Sequence, residues 1–594
     1  MRLPSLLFLT VLSAAALASD ARGAPDPRMP VLTAMRDELG RSMARLRLRD
    51  YEAPYFIAYA VRDYDRYTIS GKYGALQVDD HSRARQAYVE VRVGDYRFDN
   101  TTNDGLDISF SLDPPDYEPS TSAPLDDSGD ALRATLWLLT DSKYKQALGA
   151  YAKKRGRRAT ALSEDEDLPS FSKEPPVKIV EPAATLTFEA ESVRQRVREA
   201  GVRLKQYPEI FDAAVQVVAE RVTRYLVNSE GTELAAERVL YSLHVTGATR
   251  AADGMLLEHE KAFYANRFDG LPDTAGVLKA VDQLASELHA LRDAPVIDPY
   301  TGPAILMQQA AGVFFHEAIG HRLEGERQND EKEGRTFKGQ IGHRILPDFL
   351  TVLDDPTLER AAGASLNGYY HFDDEGVTAR PVTLIDRGVL RDYLKSRTPI
   401  SGSVRSNGHG RAESVGDPMG RMANLVVKST RRVSEDELKR MLLAEVRRQG
   451  KPFGLIIRDI TGGSTNTSNY GFQAFKGQPR LVYRVDAKTG QETLVRGVEM
   501  VGTPLASINR IVATSDKDGV FNGYCGAESG LVPVSSVAPA ILMSEIELQR
   551  SQRALERPPL LPPPWKDAAQ PNAEQPPAPK GTAPSAARTA PATR

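Results

Sequence analysis

In the first half of the chain, apolar residues follow helical spacing in some segments and strand-like runs in others. The helical spacing predicts helices at 30–46, 131–154, 193–206 and 274–293. Strand-like runs lie at 55–64, 66–78 and 87–98, and further strand pairs flank turns at 228–231 and 252–254. These elements predict a mixed α/β domain over residues 28–292.

The second half is predicted to be strand-rich, after a mostly apolar segment at 303–315 that is typical of a buried helix. Glycine-bounded strands are predicted at 382–394, 453–461, 480–485 and 496–501. Ser434 begins a capping box, which predicts a helix at 434–449. The segment 293–299 is a candidate linker, so we assign the second domain to 299–550. The predicted class is therefore α+β, with two domains.

Beyond the second domain, residues 557–594 are rich in proline and alanine and contain few large apolar residues. A segment of this composition cannot support a core. We therefore expect a disordered tail.

Charge and the first residues bear on partners and location. The 594 residues include 76 Lys plus Arg against 79 Asp plus Glu, a balance that gives no reason to expect a nucleic-acid partner. Arg2, an apolar run at 6–17 and small residues up to Ala18 are typical of a signal peptide over 1–18, cleaved after Ala18. We expect a periplasmic or secreted protein with no stable membrane span. A membrane-anchored N-terminus is the alternative.

The segment Phe315-His-Glu-Ala-Ile-Gly-His321 carries the candidate chemistry. Two neutral imidazoles can hold a zinc ion, and Glu317 beside them can accept a proton from water, as in metallohydrolases. The apolar approach to this segment favours burial, and buried polar groups need partners that a metal would provide. A chance occurrence of so short a motif is the alternative.

The spacing of the two histidines constrains the backbone. His316 and His321 are five residues apart, which places them roughly 140° from each other around a regular helix. A regular helix therefore cannot direct both rings to one metal. Gly320 tolerates the conformations that end a helix. We expect His316 and Glu317 to be helical and His321 to follow a break after Gly320.

A catalytic zinc site has three protein ligands and one open position. Cys525 is the single cysteine, in a glycine-flanked stretch at 522–526 that predicts a loop. Coordination as a thiolate would protect a solitary thiol in an oxidising compartment, although an inert buried thiol is the alternative. Other candidates for the third ligand, among which spacing does not decide, are His343, His371, His409 and Glu324.

Several collinear motifs lie between Pro299 and Ile546. They are His316-Glu-Ala-Ile-Gly-His-Arg-Leu-Glu-Gly325, Phe337-Lys-Gly-Gln-Ile-Gly342, Val352-Leu-Asp-Asp355, Phe372-Asp-Asp-Glu-Gly376, Asn407-Gly-His-Gly-Arg-Ala-Glu-Ser414, Pro418-Met-Gly-Arg-Met-Ala-Asn424 and Asn522-Gly-Tyr-Cys-Gly526. Through these motifs the chain resembles the TldD/PmbA family of metallopeptidases, in the TldD-like branch with a His-Glu-x-x-x-His motif.

The resemblance implies a zinc ion held by His316, His321 and Cys525, with Glu317 as the general base. It also implies a two-domain subunit with a mixed α/β N-terminal domain and a strand-rich catalytic domain. The expected activity is hydrolysis of short or unfolded peptides in an enclosed site. The expected assembly is a homodimer, or a heterodimer with a PmbA-like subunit.

His409 and Arg411, in the glycine-flanked stretch 407–412, are candidates for substrate binding and oxyanion stabilisation. A tight turn with exposed side chains is the alternative for this stretch. Two other functions also stay open. One is a non-catalytic zinc-containing partner protein, and the other is a peptide-binding subunit that presents strands to an extended chain.

Overall fold

The structure is a computed structural model that describes residues 26–101, 118–158, 168–330, 333–413, 416–468, 474–551 and 555–567. The predicted signal peptide, 1–18, and the predicted tail beyond residue 567 lie outside the described residues. Within the described ranges, no helix has both the length and the apolar character needed to cross a membrane.

Among the described residues, a six-stranded sheet and four α-helices form the N-terminal half. The strands are β1 (Pro54–Lys72), β2 (Ala75–Val93), β3 (Lys178–Val180), β4 (Asp212–Asn228), β5 (Glu233–Arg250) and β6 (Leu256–Ala265). Their order is β2-β1-β4-β5, with β3 and β6 both paired to β5. The helices are α1 (Met29–Arg45), α2 (Gly129–Arg158), α3 (Ala190–Leu204) and α4 (Thr274–Asp293).

The four helices cover one face of this sheet because the strand residues on that face are apolar. Ile57 of β1 is buried in a cluster with residues of α1 and α2, and Val215 of β4 in a cluster with residues of α3 and α4. Successive strand residues point to opposite faces. On the other face, Arg62 and Arg224 bind Asp374 of the C-terminal half at 3.0 and 2.7 Å. The second face is thus a charged contact between the two halves.

The strands predicted at 55–64 and 66–78 are one strand as far as Lys72. The chain then turns at Tyr73–Gly74, and residues 75–78 belong to β2. Around the predicted break, Asp65 is opposite Arg83 in β2, and its carboxylate lies 2.7 Å from Nε2 of His81. Cross-strand pairs of this kind stabilise a strand without apolar alternation. The apolar pattern alone therefore ended the strand too early.

The described part of the C-terminal half contains a twelve-stranded sheet and two small strand pairs. Its strands are β7 (Tyr300–Leu306), β8 (Leu350–Asp354), β9 (Arg360–Ala361), β10 (Ala364–Ser365), β11 (Val382–Asp386), β12 (Val389–Leu390), β13 (Gly410–Arg411), β14 (Met419–Gly420), β15 (Asn424–Ser429), β16 (Arg432–Val433), β17 (Phe453–Thr465), β18 (Phe475–Asp486), β19 (Glu492–Val495), β20 (Val498–Gly502), β21 (Ile511–Ala527) and β22 (Gly530–Arg550). Its helices are α5 (Gln308–Ala318), α6 (Glu435–Arg448), α7 (Pro504–Ile508) and α8 (Pro564–Asp567).

Five of these strands close into a ring, in which β22 pairs with β20, β20 with β18, β18 with β17, β17 with β7, and β7 again with β22. Helix α5 packs against β17, β21 and β22, and all its residues from Ala310 to Ala318 are buried. The single helix predicted at 303–315 is therefore wrong in its first part, which belongs to β7. Strand β7 is paired on both sides, and a fully buried strand shows the same continuous apolar run as a buried helix.

Two further predictions concern the ends of elements. The predicted helix start is confirmed, since the hydroxyl of Ser434 caps α6 by accepting a hydrogen bond from the backbone N–H of Glu437 at 3.2 Å. The tail predicted at 557–594 is described as far as residue 567, and this part contacts the N-terminal half. Within it, the ring of Trp565 lies 4.7 Å from that of Tyr73. Composition did not predict this contact.

Candidate metal centre

The structure brings His316, His321 and Cys525 together at the end of α5. One ligand atom from each lies within 4.8 Å of the other two. The two histidines are 6% and 7% exposed, and the cysteine is 2% exposed. The two histidines are close together in the sequence, whereas the cysteine lies far along the chain in β21. The third position, which spacing left open, is thus filled by Cys525 in this cluster.

The backbone around Gly320 explains how both rings reach one point. Helix α5 ends before Ile319, and a 3₁₀ turn, Gly320–Leu323, carries His321. The two imidazole rings have their centres 5.0 Å apart and are nearly perpendicular. The break therefore lies before Gly320 rather than after it.

The reason for a glycine at 320 also differs from the expected one. Its backbone is not in the left-handed region. A Cβ at this position would lie 1.9 Å from Sδ of Met422. No side chain fits at that distance, so Gly320 allows close packing rather than an unusual backbone conformation.

Cys525 lies in strand β21, so the loop predicted at 522–526 is wrong. It is opposite Val532 of β22, and the hairpin turn follows only after Ala527. Alternation along the strand buries Cys525 and leaves the neighbouring Tyr524 49% exposed. The flanking glycines suggested a turn, but pairing with β22 keeps the segment extended. The strand thereby fixes the direction of the thiol.

His321 connects the thiol to a buried carboxylate. Its Nε2 lies 3.4 Å from Sγ of Cys525, and its Nδ1 lies 3.1 Å from Oε1 of Glu324. Because a carboxylate only accepts hydrogen bonds, Glu324 holds a proton on Nδ1, and Nε2 is the nitrogen that faces the thiol.

The electrostatics of the site favour a thiolate. Burial raises the pKa of the Cys525 thiol, but the imidazoles of His321 and His316 outweigh burial and hold that pKa well below its usual range. A thiolate is the form of cysteine that binds metals.

Two features of the site bear on zinc binding: its unsatisfied buried atoms and its set of donor atoms. Nδ1 of His316 and Oε2 of Glu317 are buried without a hydrogen-bond partner among the described residues. Leaving such an atom unsatisfied costs roughly 1–3 kcal/mol. Two imidazoles and one thiolate form a donor set that zinc accepts, with a fourth position open. These residues therefore fit a zinc ion.

Glu317 lies on the last turn of α5, beside the ligand His316, and is 6% exposed. Burial raises the pKa of its carboxyl, and the nearby imidazoles lower it by less. Gly463 of β17 provides space, since a Cβ there would lie 2.5 Å from Cγ of Glu317. Arg322 donates to the backbone oxygen of Glu317 at 2.7 Å and to Oγ1 of Thr465 at 2.8 Å. The carboxylate is thus fixed between α5 and β17.

His409 and Arg411 are buried in a separate network. Nε2 of His409 lies 3.2 Å from Oδ1 of Asp354, and Arg411 donates to the backbone oxygen of Pro533 at 2.8 Å. The alternative of a turn with exposed side chains at 407–412 is wrong, since that whole stretch is buried. In the described part of the chain, the metal-ligand cluster includes neither residue. Their role in substrate binding stays a prediction.

The other candidate ligands lie elsewhere. His343 is exposed, and His371 lies 2.7 Å from a carboxylate oxygen of Glu181. Glu324 lies behind His321 and bonds its ring instead of joining the cluster.

Sequence reasoning missed Gly463 and Arg421 altogether. Gly463 lies in β17, and Arg421 follows β14, so both reach the centre only through the tertiary fold. The available signal for Arg421 was the motif at 418–424, whose purpose the sequence did not show.

A buried His/His/Cys donor set beside a glutamate, in a strand-rich domain, defines a candidate metallohydrolase centre. Residues 299–550 match the family model described as the PmbA/TldA metallopeptidase C-terminal domain. A metalloprotease of Methanocaldococcus jannaschii is 32% identical over 234 residues, which cover 39% of this chain and 47% of that protein. The zinc metalloprotease TldD homolog of Saccharolobus solfataricus is 24% identical over 356 residues, 58% of this chain and 72% of that protein.

The chain spans about half the length of several curated relatives that it matches. The fold is similar to that of TldE from Thermococcus kodakarensis, with a TM-score of 0.57 and 14% identity over 87% of this chain and 100% of that chain. At that identity the likeness concerns the fold alone. Residues 299–550 are thus similar to the C-terminal domain of the PmbA/TldA metallopeptidases, and the whole described chain has a TldE-like fold.

Proposed function

We propose that the protein is a zinc-dependent peptidase whose centre consists of His316, His321, Cys525 and Glu317. One observation carries the proposal: three atoms of the kinds that zinc binds lie within 4.8 Å of one another, next to a buried carboxylate. The names of the relatives as metalloproteases support it.

Zinc bound at these ligands would supply Lewis acidity, which polarises a peptide carbonyl and makes water a stronger acid. Glu317 would act as the general base, taking a proton from the attacking water and delivering it to the leaving amine. Its Oε2 has no hydrogen-bond partner among the described residues, and burial raises its pKa towards the range where bases work near neutral pH. Glu324 would keep the ring of His321 in the metal-binding tautomer.

We propose short or unfolded peptides as substrates. His316, Glu317, His321 and Cys525 are each less than a tenth exposed, so a compact folded domain could not bring its backbone to them. An extended chain is much narrower. An unstructured peptide should therefore be cleaved and a stably folded domain should survive, whereas efficient cleavage of the folded domain would contradict this substrate class.

Glu317→Gln tests the catalytic role, because glutamine has nearly the same shape but cannot accept the proton. Zinc content and folding should be retained, while hydrolysis should fall by roughly 10²–10⁴-fold. Glu326→Gln is the matched control, since Glu326 is a nearby glutamate that accepts a hydrogen bond from the backbone N–H of Gly420. Peptide hydrolysis by Glu317→Gln near the wild-type rate would contradict the proposal. Hydrolysis by the wild-type protein that a zinc chelator does not inhibit would contradict it as well.

We also propose that the subunit forms a dimer, with itself or with a PmbA-like subunit, and that it works in the periplasm or outside the cell. The fold likeness to TldE supports the assembly, and the pattern of residues 1–18 supports the location. Light scattering of the purified protein, alone and mixed with a PmbA-like subunit, tests the assembly. N-terminal sequencing tests the location: a mature chain should begin at Ser19 and not at Met1.

A further inference from the structure

Arg421 is a fully buried arginine that lies beside the metal centre without touching it. It follows β14, and its side chain has no exposed surface. Burying a guanidinium is costly unless carboxylates and carbonyl oxygens surround it. The hydrogen-bond and ion-pair partners of Arg421 therefore indicate which parts of the site it connects.

These partners belong to the elements that carry two of the three metal ligands. Nε of Arg421 forms an ion pair with Oε1 of Glu324 at 3.3 Å, the same oxygen that lies 3.1 Å from Nδ1 of His321. Another guanidinium nitrogen donates to the backbone oxygen of Cys525 at 2.7 Å. One side chain thus contacts both the carboxylate behind His321 and the backbone of Cys525.

The same guanidinium also holds the turn that follows Cys525. It donates to Oγ of Ser529 at 2.7 Å and to the backbone oxygen of Gly530 at 3.1 Å. Gly530 begins β22 in the left-handed region, where the hairpin reverses. The end of the β21–β22 hairpin is therefore tied to the 3₁₀ turn of His321 through Arg421.

We propose that Arg421 is a positioning residue that sets the separation between the His321 ring and the Cys525 thiolate and keeps Glu324 aimed at His321. The inference rests on the proposed zinc site. It assigns to Arg421 a role in metal affinity, not in proton transfer. A carboxylate that orients a metal-binding imidazole is worth 10–100-fold in metal affinity in other proteins. Arg421 holds Glu324 together with Arg327, whose Nε donates to Oε2 of Glu324 at 2.7 Å, and it also holds the backbone of Cys525, so its loss should have a similar effect.

Arg421→Gln is the main variant, and Arg397→Gln is its matched control. Arg397 is equally buried, but it binds the backbone oxygen of Ser172 at 2.6 Å and the carboxylate of Glu230 at 2.8 Å, in the contact with the N-terminal half. Both changes remove a buried charge and should lower the unfolding midpoint. Zinc affinity, measured by competition with a chelator, should fall about 10–100-fold for Arg421→Gln and stay at the wild-type value for Arg397→Gln.

Two further measurements separate positioning from loss of stability. The cobalt-substituted protein should show an altered thiolate-to-cobalt absorption band in Arg421→Gln and an unchanged band in Arg397→Gln. Arg421→Lys, which keeps the charge but not the fork of donors, should fold and bind zinc with intermediate affinity. In the double variant with Glu324→Gln, the losses of affinity should be non-additive, because both residues act through one contact.

Wild-type zinc affinity and an unchanged cobalt spectrum in Arg421→Gln would overturn the inference. An equal loss of affinity in Arg397→Gln would do the same, because the effect would then follow general stability. If Arg421→Gln does not fold, the comparison between Arg421→Lys and Arg397→Gln decides in the same way. Neither the zinc affinity nor the cobalt spectrum depends on whether the protein hydrolyses peptides. A wild-type protein that binds zinc but cleaves no peptide would therefore refute the proposed function and leave this comparison valid.

Discussion

Replacing Gly463 with alanine tests whether Glu317 owes its position to close packing against β17. The new Cβ would lie 2.5 Å from Cγ of Glu317, 3.0 Å from Cδ and 2.9 Å from Oε1. Carbon atoms in contact are normally about 3.5–4.0 Å apart. The carboxylate must therefore retreat by about 1 Å, because the nearest atom is Cγ and not the free end of the side chain.

A displacement of about 1 Å in a catalytic group can cost on the order of 10²-fold in rate. We therefore expect kcat/KM for an unstructured peptide to fall about 100-fold in Gly463→Ala. Overpacking should also lower the free energy of unfolding by about 1–3 kcal/mol. Bound zinc should remain near the wild-type content, because the three atoms nearest to the new methyl group all belong to Glu317 and not to a ligand.

Gly462→Ala is the matched control, since a Cβ at the adjacent glycine would meet nothing within 4 Å. Both glycines lie in the same strand and neither has a left-handed backbone, so alanine can adopt the conformation at either position. Peptide hydrolysis, zinc content and thermal unfolding should be measured for both variants. Equal kcat/KM in the two would refute the reasoning. Loss of zinc from Gly463→Ala alone would also refute it, because the damage would then lie at the ligands.

Three other results are expected. Cys525→Ala should weaken zinc retention and peptide hydrolysis. In the wild-type protein, a thiol reagent should react with Cys525 slowly while zinc is bound and rapidly after a chelator removes it. Unchanged zinc stoichiometry in Cys525→Ala would contradict the role of Cys525 as a ligand. Gly320→Ala should destabilise the protein by about 1–3 kcal/mol, and the same change should cost less in a Met422→Ala background, because the clash involves Sδ of Met422. Burial raises the pKa of Glu287, but hydrogen bonds from His259 and Lys261 outweigh it and lower that pKa to about 2. Since this pKa is depressed in the folded state, the carboxylate stabilises the protein above its ordinary pKa of 4.5 and the stabilisation is lost as pH falls towards 2. Glu287→Gln should therefore cost up to about 3 kcal/mol in denaturant unfolding at pH 7, and a difference from wild type that does not shrink below pH 4.5 would contradict this.

The sequence by itself determined the features that depend on neighbouring residues. The amphipathic pattern predicted α4 with its observed ends at 274 and 293, and the capping box located the start of α6. The pair His316 and Glu317 was predicted to be helical from the apolar run that leads to it, and both residues lie in α5. The family resemblance likewise rested on short motifs that can be read without knowledge of the fold.

Only the tertiary structure decided the features that depend on contacts between distant segments. Pairing with β22 made the stretch around Cys525 a strand and turned its thiol inward, although its glycines indicated a loop. Gly320 and Gly463 proved necessary because Met422 and Glu317 approach them closely, and local backbone preference carries no sign of such an approach. Arg421 gained its role from partners on two other elements. Close packing and buried ion pairs are set by non-local geometry, so no local pattern of residues could reveal them.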